Sequence, residues 1–564
     1  MIKKRINILR KKFKKLNIDG YIVPKNDEYF SEYAAIDRLN VISNFNGSAG
    51  LAIILKKKNY LFVDGRYTIQ ASQQSGKNFK IIEIHKFLPK KIFKNLSLGF
   101  DPSLFTKNQL NIFFGNLIKL KPIHKNLIDQ IYQPKFTKNK SFFSLDEKIA
   151  GETYKSKINK ISKILKNNKI DYLFISAPEN VAWILNIRGF DNPNSPIPNC
   201  RLIVGKDSKI FLITNKNKIL KVIKEKKLKK YQIINPDRFK NLIEKLKGQN
   251  FIIDPLSCSI LNENIIKTKF KIIKKNDPCY ELKSIKNLSE IKHMIKAHNE
   301  DGLALTKFIY WIKNFKKKLN EIYAQNKLEK FRKLNKSYLY PSFNTIAGSG
   351  SNGAIVHYRA SKKSNKVIKK NDIFLCDSGG QYKFGTTDVT RTICFAKQPK
   401  SIKNIYTKVL KGHIAVVTAD LKKFNIGKKI DIKARQFLKE DGLDYAHGTG
   451  HGVGFFSNVH EGPQAISKYN KIKLKEGMII SNEPGYYKKG HYGIRIENLI
   501  YIKKNKNKLK FENLTLAPLE TELINYNLLN KNEKNYLFYY HLKVYAQHSK
   551  YLNKNEKKWL SRLI

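Results

Sequence analysis

Between Asp377 and Glu497 this sequence repeatedly sets a carboxylate where a strand ought to be apolar. The segment "NDIFLCDSGGQYKFGTTDVTRTICF" reads as a hairpin. Period-two alternation puts Ile373, Leu375 and Asp377 on one face of its first strand, and Asp388, Thr390 and Thr392 on one face of its second. Ser378–Thr387 between them holds three glycines and can turn the chain, so Asp377 and Asp388 can meet. Downstream, "AHGTGHGVGFFSNVHEGP" carries His447, His451 and His460 in a Gly-rich loop. Glu483 ends the strand "MIIS", and in "GIRIENLIYI" Ile494 and Ile496 face one way while Arg495 and Glu497 face the other.

Each residue alone has an ordinary explanation: a turn aspartate, a solvated histidine, a cross-strand ion pair. Together, four carboxylates and at least one imidazole would be very costly to bury without cations. Two divalent metals supply four positive charges. Oxygen-rich ligation with one histidine suits Mn²⁺, with Zn²⁺, Co²⁺ or Fe²⁺ as alternatives. Two such ions sharing a hydroxide make a hydrolytic site, and Arg495, beside Glu497, can offset the hydroxide's charge.

The elements that must hold these residues belong to a long chain. Its 564 residues are too many for one core and predict about three or four domains. "KKLNIDGYIVP" at 14–24 resembles "KNNKIDYLFISAP" at 166–178, and each reads as a helix end, an Ile-Asp turn and a buried strand. The two Ile-Asp pairs are 170 − 18 = 152 residues apart. This predicts tandem α/β domains over 1–148 and 149–280, parted in the polar stretch after Phe136. A third domain, 281–510, opens with a long helix capped by Asn287 and Glu290, with Ile291, Ile295, His298, Gly302, Leu305 and Ile309 on its inner face. Residues 511–564 read as a polar, helical C-terminal extension.

Composition bounds the partners. Lys and Arg number 109 against 45 Asp and Glu, a net charge of +64. Only 13 are arginine, which leaves 109 − 13 = 96 lysines spread along the chain, so the excess reads as a solvated surface rather than a base-reading one. Five cysteines without a CxxC pair fit free thiols in a reducing compartment. The basic N-terminus lacks the apolar core of a secretory signal. It has the composition of a transit peptide, but reads better as a first amphipathic helix leading into a strand at 21–24. No apolar run reaches the ~18 residues of a membrane span.

The ordered motifs "DSGGQYKFGTTDVTRT", "HGTGHGVG", "SNEPGYY" and "IRIEN" resemble those of the pita-bread metallopeptidases, the superfamily of methionine aminopeptidase, prolidase, creatinase and aminopeptidase P. "PSFNTIAGSGSNGAIVHYRAS" resembles it too, and "DEYFSEYAAIDRLNVISNFNGSAGLAIILKKKNYLFVDGRYTIQA" is similar to the first domain of the three-domain Xaa-Pro aminopeptidase branch. Arg359, after "HY", and the lysine-rich surface depart from the pattern. The resemblance implies an α/β (α+β) chain, with two creatinase-like domains before a pita-bread catalytic domain and a C-terminal helical extension. It implies Asp377, Asp388, His451, Glu483 and Glu497 as ligands of two metal ions, with Asp388 and Glu497 bridging. His447 is then no ligand, but a loop residue or a contact behind the ligands.

The implied activity is hydrolysis of the bond between an N-terminal residue and a following proline by a metal-bridged hydroxide. Glu483 carries the proton, His460 steadies the oxyanion, His357 contacts the substrate near the scissile bond, and Arg495 supports the site. Arg66 in "FVDGRY" is implied as a gate over the substrate tail, against the plainer role of an ion pair with Asp64. A cytoplasmic homodimer with no specific nucleic-acid or membrane partner is expected. Two rival readings are a prolidase that cuts only Xaa-Pro dipeptides, and a metal-free pita-bread protein that binds nucleic acid through its positive charge.

Overall fold

The computed structural model describes residues 2–132, 140–225 and 228–564. The chain forms two compact units, Met1–Cys279 and Tyr280–Ile564. The stretch around Phe136, where the sequence puts a boundary, falls outside the described residues.

The first unit contains one fold twice. The basic N-terminus is a helix, Ile2–Leu16, with Ile6, Leu9 and Phe13 buried. It leads into the strand Gly20–Pro24. That strand lies in a six-stranded sheet, antiparallel to Leu51–Leu55 and parallel to Ser97–Phe100. In the second sheet, Tyr172–Ile175 is likewise antiparallel to Arg201–Gly205 and parallel to Asn250–Ile253. On both sides the outer pairs also match, antiparallel then parallel in one direction and parallel in the other.

The Ile-Asp turns have a structural reason. Asp19 accepts from the Ser97 amide at 2.9 Å and pairs with Lys56 at 2.6 Å. Asp171 accepts from the Asn250 amide at 3.0 Å and pairs with Lys206 at 2.8 Å. Each carboxylate thus caps the start of the parallel neighbour strand, satisfying a backbone donor that the sheet leaves free.

In the second unit the helix Leu288–Asn314 begins with the expected capping box, Asn287 and Glu290 bonding each other's backbone amides. Its inner stripe is Glu290, Met294, Ala297, His298, Gly302, Leu305 and Ile309. Ile295 is exposed and Ile291 only half-buried, contrary to the sequence reading. The stripe that meets the rest of the unit passes through Met294 and Ala297, at the three- and four-residue spacing of one helix face. The long helices Glu321–Lys333, Lys400–Val417 and Gly427–Lys439 follow in the same unit.

Two sheets carry the acidic residues. One is three-stranded, in the order Ile346–Ser349, Ile373–Ser378, Val389–Cys394. The other is five-stranded, in the order Glu461–Ile466, Gly450–Gly452, Ile479–Asn482, Asn498–Asn505, Lys508–Asn513. The hairpin Gly485–Lys488 and Tyr492–Arg495 lies between in sequence. Ile373, Ile494 and Ile496 enter one apolar cluster with the C-terminal helix residues Leu537, Tyr540 and Val544. Burying each isoleucine contributes roughly 1.5–3 kcal/mol, so this pattern fixes the strand's rotation and turns Arg495 and Glu497 to the opposite side. The helices Lys531–His548 and Lys554–Ser561 close the chain. No helix among the described residues is long and apolar enough to cross a membrane. All five cysteines are buried and free.

Candidate metal centre

The expected hairpin forms in register. Asp377 pairs with Thr390, and Leu375 with Thr392. The glycine-containing link is more ordered than a turn, since Gly380–Tyr382 and Gly385–Thr386 add to a separate sheet with Tyr338–Pro341. Asp388 immediately precedes its strand, Glu483 immediately follows Ile479–Asn482, and Glu497 sits between Tyr492–Arg495 and Asn498–Asn505. The carboxylates therefore leave the sheets where the ladders end.

Ligand atoms of Asp388, His451 and Glu497 all lie within 4.8 Å of one another. His451 Nε2 is 3.6 Å from Asp388 Oδ2 and 3.5 Å from Glu483 Oε1. Asp377 Oδ2 accepts from Arg495 at 2.6 Å. Thr390 Oγ1 donates to Glu497 Oε2 at 2.6 Å and accepts from Arg495 Nε at 3.1 Å. The structure thus brings all five predicted ligands to one place, with Arg495 as the cation among them.

Three features make the arrangement fit metal ions. First, Asp377, Asp388 and Glu497 are buried, yet Asp377 Oδ1 and Asp388 Oδ1 have no hydrogen-bond partner, a state that buried carboxylate oxygens rarely tolerate. Second, His451 Nδ1 lies 2.9 Å from the Gly452 carbonyl, which can only accept. The ring proton is therefore on Nδ1, and the Nε2 lone pair faces carboxylate oxygens, an orientation that suits a cation between them. Third, four carboxylates against one arginine leave −4 + 1 = −3, and oxygen donors with one imidazole suit hard or borderline divalent ions.

The titration behaviour follows. Burial pushes the Asp388 carboxyl far above its ordinary range, and Asp377 and Glu483 push it further. Burial does the same to Glu497, helped by Asp388 and Glu483. Burial alone would lower Arg495, but the surrounding Tyr487, Asp377, Glu483 and Glu497 reverse that and hold it charged.

The remaining histidines divide as follows. His460 meets His451 edge to face, ring centroids 4.3 Å apart. Its neighbour Glu461 is clamped between two buried lysines, Lys283 at 2.9 Å and Lys286 at 2.5 Å. Burial would raise Glu461, yet the two lysines outweigh it and hold the carboxyl below its ordinary range. His447 Nε2 lies 2.8 Å from the Tyr487 hydroxyl, which accepts from Arg495 at 2.6 Å. His447 therefore stands behind Arg495, three contacts from Asp377. His357 lies between Val356, whose carbonyl is 3.5 Å from Arg495, and Tyr358. Arg66 belongs to the other unit, where it makes a two-point ion pair with Asp64 at 3.0 and 2.8 Å.

Sequence reasoning missed several supports. Glu321, fully buried, accepts from the Ser349 and Lys366 amides, Asn352 Nδ2 and the Tyr358 hydroxyl at 2.8–2.9 Å. It knots the loop that carries His357. Ser481 Oγ joins His451 to Glu483, accepting from the His451 amide at 2.9 Å and donating to Glu483 at 3.0 Å. A signal for Glu321 existed only in its partners: Asn352 and Tyr358 flank His357 in "SNGAIVHY".

Comparison with known proteins bears on the same residues. Metallopeptidase family M24 matches residues 292–504, and its C-terminal region matches 507–563. Two Creatinase/Prolidase N-terminal domain families match 5–130 and 132–290. A probable Xaa-Pro aminopeptidase P of Coprinopsis cinerea is 35% identical over 99% of this chain and 97% of its own. The chain belongs to the three-domain Xaa-Pro aminopeptidase branch of metallopeptidase family M24.

Among solved structures of this family, X-prolyl aminopeptidase from Caenorhabditis elegans, described as a cytosolic enzyme with a di-nuclear active site, superposes with a TM-score of 0.92. It is 29% identical, over 100% of this chain and 99% of its own. Prolidase from Pyrococcus furiosus, 28% identical with a TM-score of 0.51, covers only 63% of this chain while 99% of its own is matched. The three-domain architecture, with two tandem creatinase-like domains ahead of the M24 fold, is thus that of the aminopeptidase branch.

Proposed function

We propose that this chain is a metal-dependent aminopeptidase that hydrolyses the bond between an N-terminal residue and a following proline. The observation that carries the reading is the convergence of Asp388, His451 and Glu497 within 4.8 Å, in a chain aligned along its whole length with Xaa-Pro aminopeptidases. Asp377, Asp388, His451, Glu483 and Glu497 would hold two divalent cations, for which Mn²⁺ suits the oxygen-rich set with one imidazole. When bound, such ions supply an activated water and polarise the scissile carbonyl.

The chain's own groups do the rest. Glu483 is the least buried of the four acids, its side chain 18% exposed, which suits a group that takes a proton from water and returns it to the leaving amine. His460, against His451, steadies the negative charge that develops on the carbonyl oxygen. His357 contacts the substrate beside the scissile bond and helps the proline nitrogen depart. Arg495 holds Asp377 and offsets part of the repulsion among the acids. A proline after the cleaved bond has no N–H, so its recognition rests on ring shape. Arg66 is proposed as a gate over the substrate tail.

The division into 1–148, 149–280, 281–510 and 511–564 is proposed; the matched families support its four-part order and its later borders, while the first two families change over at 130–132, ahead of the 148 border. A cytoplasmic homodimer is proposed; the cytosolic description of the Caenorhabditis elegans enzyme supports the compartment.

A panel of Xaa-Pro dipeptides, Xaa-Pro-Xaa tripeptides and matched Xaa-Ala-Xaa peptides tests the activity. The expected result is release of the first residue from the proline tripeptides. Cleavage confined to dipeptides would make it a prolidase. No cleavage, with nucleic-acid binding that survives about 200 mM salt, where purely electrostatic binding falls away, would turn the reading to a metal-free nucleic-acid-binding protein.

A further inference from the structure

Arg391 is 1% exposed and all its partners are uncharged. Its fork donates to six acceptors. Nε reaches the Pro518 carbonyl at 2.8 Å. One terminal nitrogen reaches the carbonyls of Thr390 at 2.8 Å and Glu497 at 2.7 Å. The other reaches Asn498 Oδ1 at 2.9 Å, the Ala517 carbonyl at 2.9 Å and the Tyr540 hydroxyl at 3.1 Å. A buried arginine without a counter-ion is costly unless its donors are satisfied, so this position is built rather than incidental.

The partners fall into two groups, with Asn498 going with its chain neighbour Glu497. Ala517, Pro518 and Tyr540 belong to the C-terminal extension. Thr390 and Glu497 are joined again at the metal centre, where the Thr390 hydroxyl holds the Glu497 carboxylate. Tyr540 donates to the Ala517 carbonyl at 2.8 Å, closing the extension's side of the knot. The Leu499 amide donates to Thr515 Oγ1 at 2.9 Å, fixing the strand just past Glu497.

We infer that Arg391 is a positioning residue through which the C-terminal extension sets the place of the Glu497 carboxylate, making the extension part of the metal centre's support. The inference rests on the reading of Glu497 as a ligand. Partners behind metal ligands change affinity by roughly 10–100-fold when removed. Lysine keeps the charge of arginine but cannot span both groups with a planar fork.

The test is a titration of Mn²⁺ into chelator-stripped, full-length protein against a fluorescent chelator, with kcat and KM measured at low and saturating Mn²⁺. Arg391→Lys is expected to weaken one of two binding steps by roughly 10–100-fold, with kcat recovered by excess Mn²⁺. Tyr540→Phe, which removes only a hydroxyl, moves the same step by a smaller factor and decides the matter alone if Arg391→Lys does not fold. A purely structural role would lower the melting temperature and leave both binding steps within twofold, overturning the inference. Glu497→Gln separates the two failures: it must lose a binding step, and if it keeps both, the ligand reading falls and the inference with it.

Discussion

Glu321→Gln changes one oxygen for an amide nitrogen and leaves the shape alone. In the native protein Oε1 accepts from the Ser349 amide at 2.8 Å and Asn352 at 2.9 Å, while Oε2 accepts from the Tyr358 hydroxyl at 2.8 Å and the Lys366 amide at 2.9 Å. With the glutamine NH₂ in the place of Oε2, the Tyr358 hydroxyl can accept from it and donate to the Ser364 carbonyl at 2.8 Å, which leaves the Lys366 amide facing a donor. A buried donor left without an acceptor costs about 1–3 kcal/mol. The melting temperature of a large unit shifts by about 2 °C or more per kcal/mol, so the transition of the second unit should fall by at least about 2 °C. The His357 loop loses its anchor while the acidic cluster is untouched, so the variant should bind two metals and lose kcat. Differential scanning calorimetry, metal analysis and peptide kinetics on one preparation measure all three. A shift under about 1 °C with unchanged kcat would refute the claim that Glu321 holds this loop.

His357→Ala and His460→Ala should each retain two metals and lose roughly 10²–10³-fold in kcat, as expected for removing one oxyanion or proton-transfer group. His447→Ala should stay within about tenfold, since His447 reaches the acidic cluster through Tyr487 and Arg495; a dead His447 variant beside a live His460 variant would reverse these roles in a kinetic comparison. The metal-free protein should carry the pH signature of the acidic cluster. The folded state raises Asp388 and Glu497 and so binds more protons than the unfolded chain. Their contribution is complete below the unfolded carboxylate range, near about pH 4, and is lost as pH rises through the raised values. Chelated Asp388→Asn should therefore gain stability relative to chelated wild type between pH 5 and 8; parallel melting curves would contradict it. With metal bound, the order should invert, because cations bind the deprotonated ligands.

Much of this was legible because the signals were local. The Ile-Asp turns at Asp19 and Asp171 recur because each caps a strand in the same topology. Asp377, Thr390, Arg495 and Glu497 were readable from period-two alternation, which survives folding because Ile494 and Ile496 anchor the other side. The inner stripe of Leu288–Asn314 was misplaced over its first turns because Ile295 looks like core, while the helix is turned there by contacts of Met294 and Ala297. Glu321 was signalled only by its partners Asn352 and Tyr358, and Arg391 and Tyr540 were invisible. Their partners lie up to 149 residues away in the chain, and no periodicity encodes a hydrogen bond across that distance.

The central claim is that the cluster of Asp377, Asp388, His451, Glu483 and Glu497 is a two-metal centre that performs the hydrolysis. Its most direct test counts metal ions per chain by elemental analysis while turnover of an Xaa-Pro-Xaa tripeptide is followed, as Mn²⁺ is returned to chelated protein. The account predicts two bound ions at full activity, none of either after chelation, and loss of both in Asp388→Asn with the fold retained. Full turnover in protein stripped of metal, or an Asp388→Asn variant with two ions and normal turnover, would contradict it.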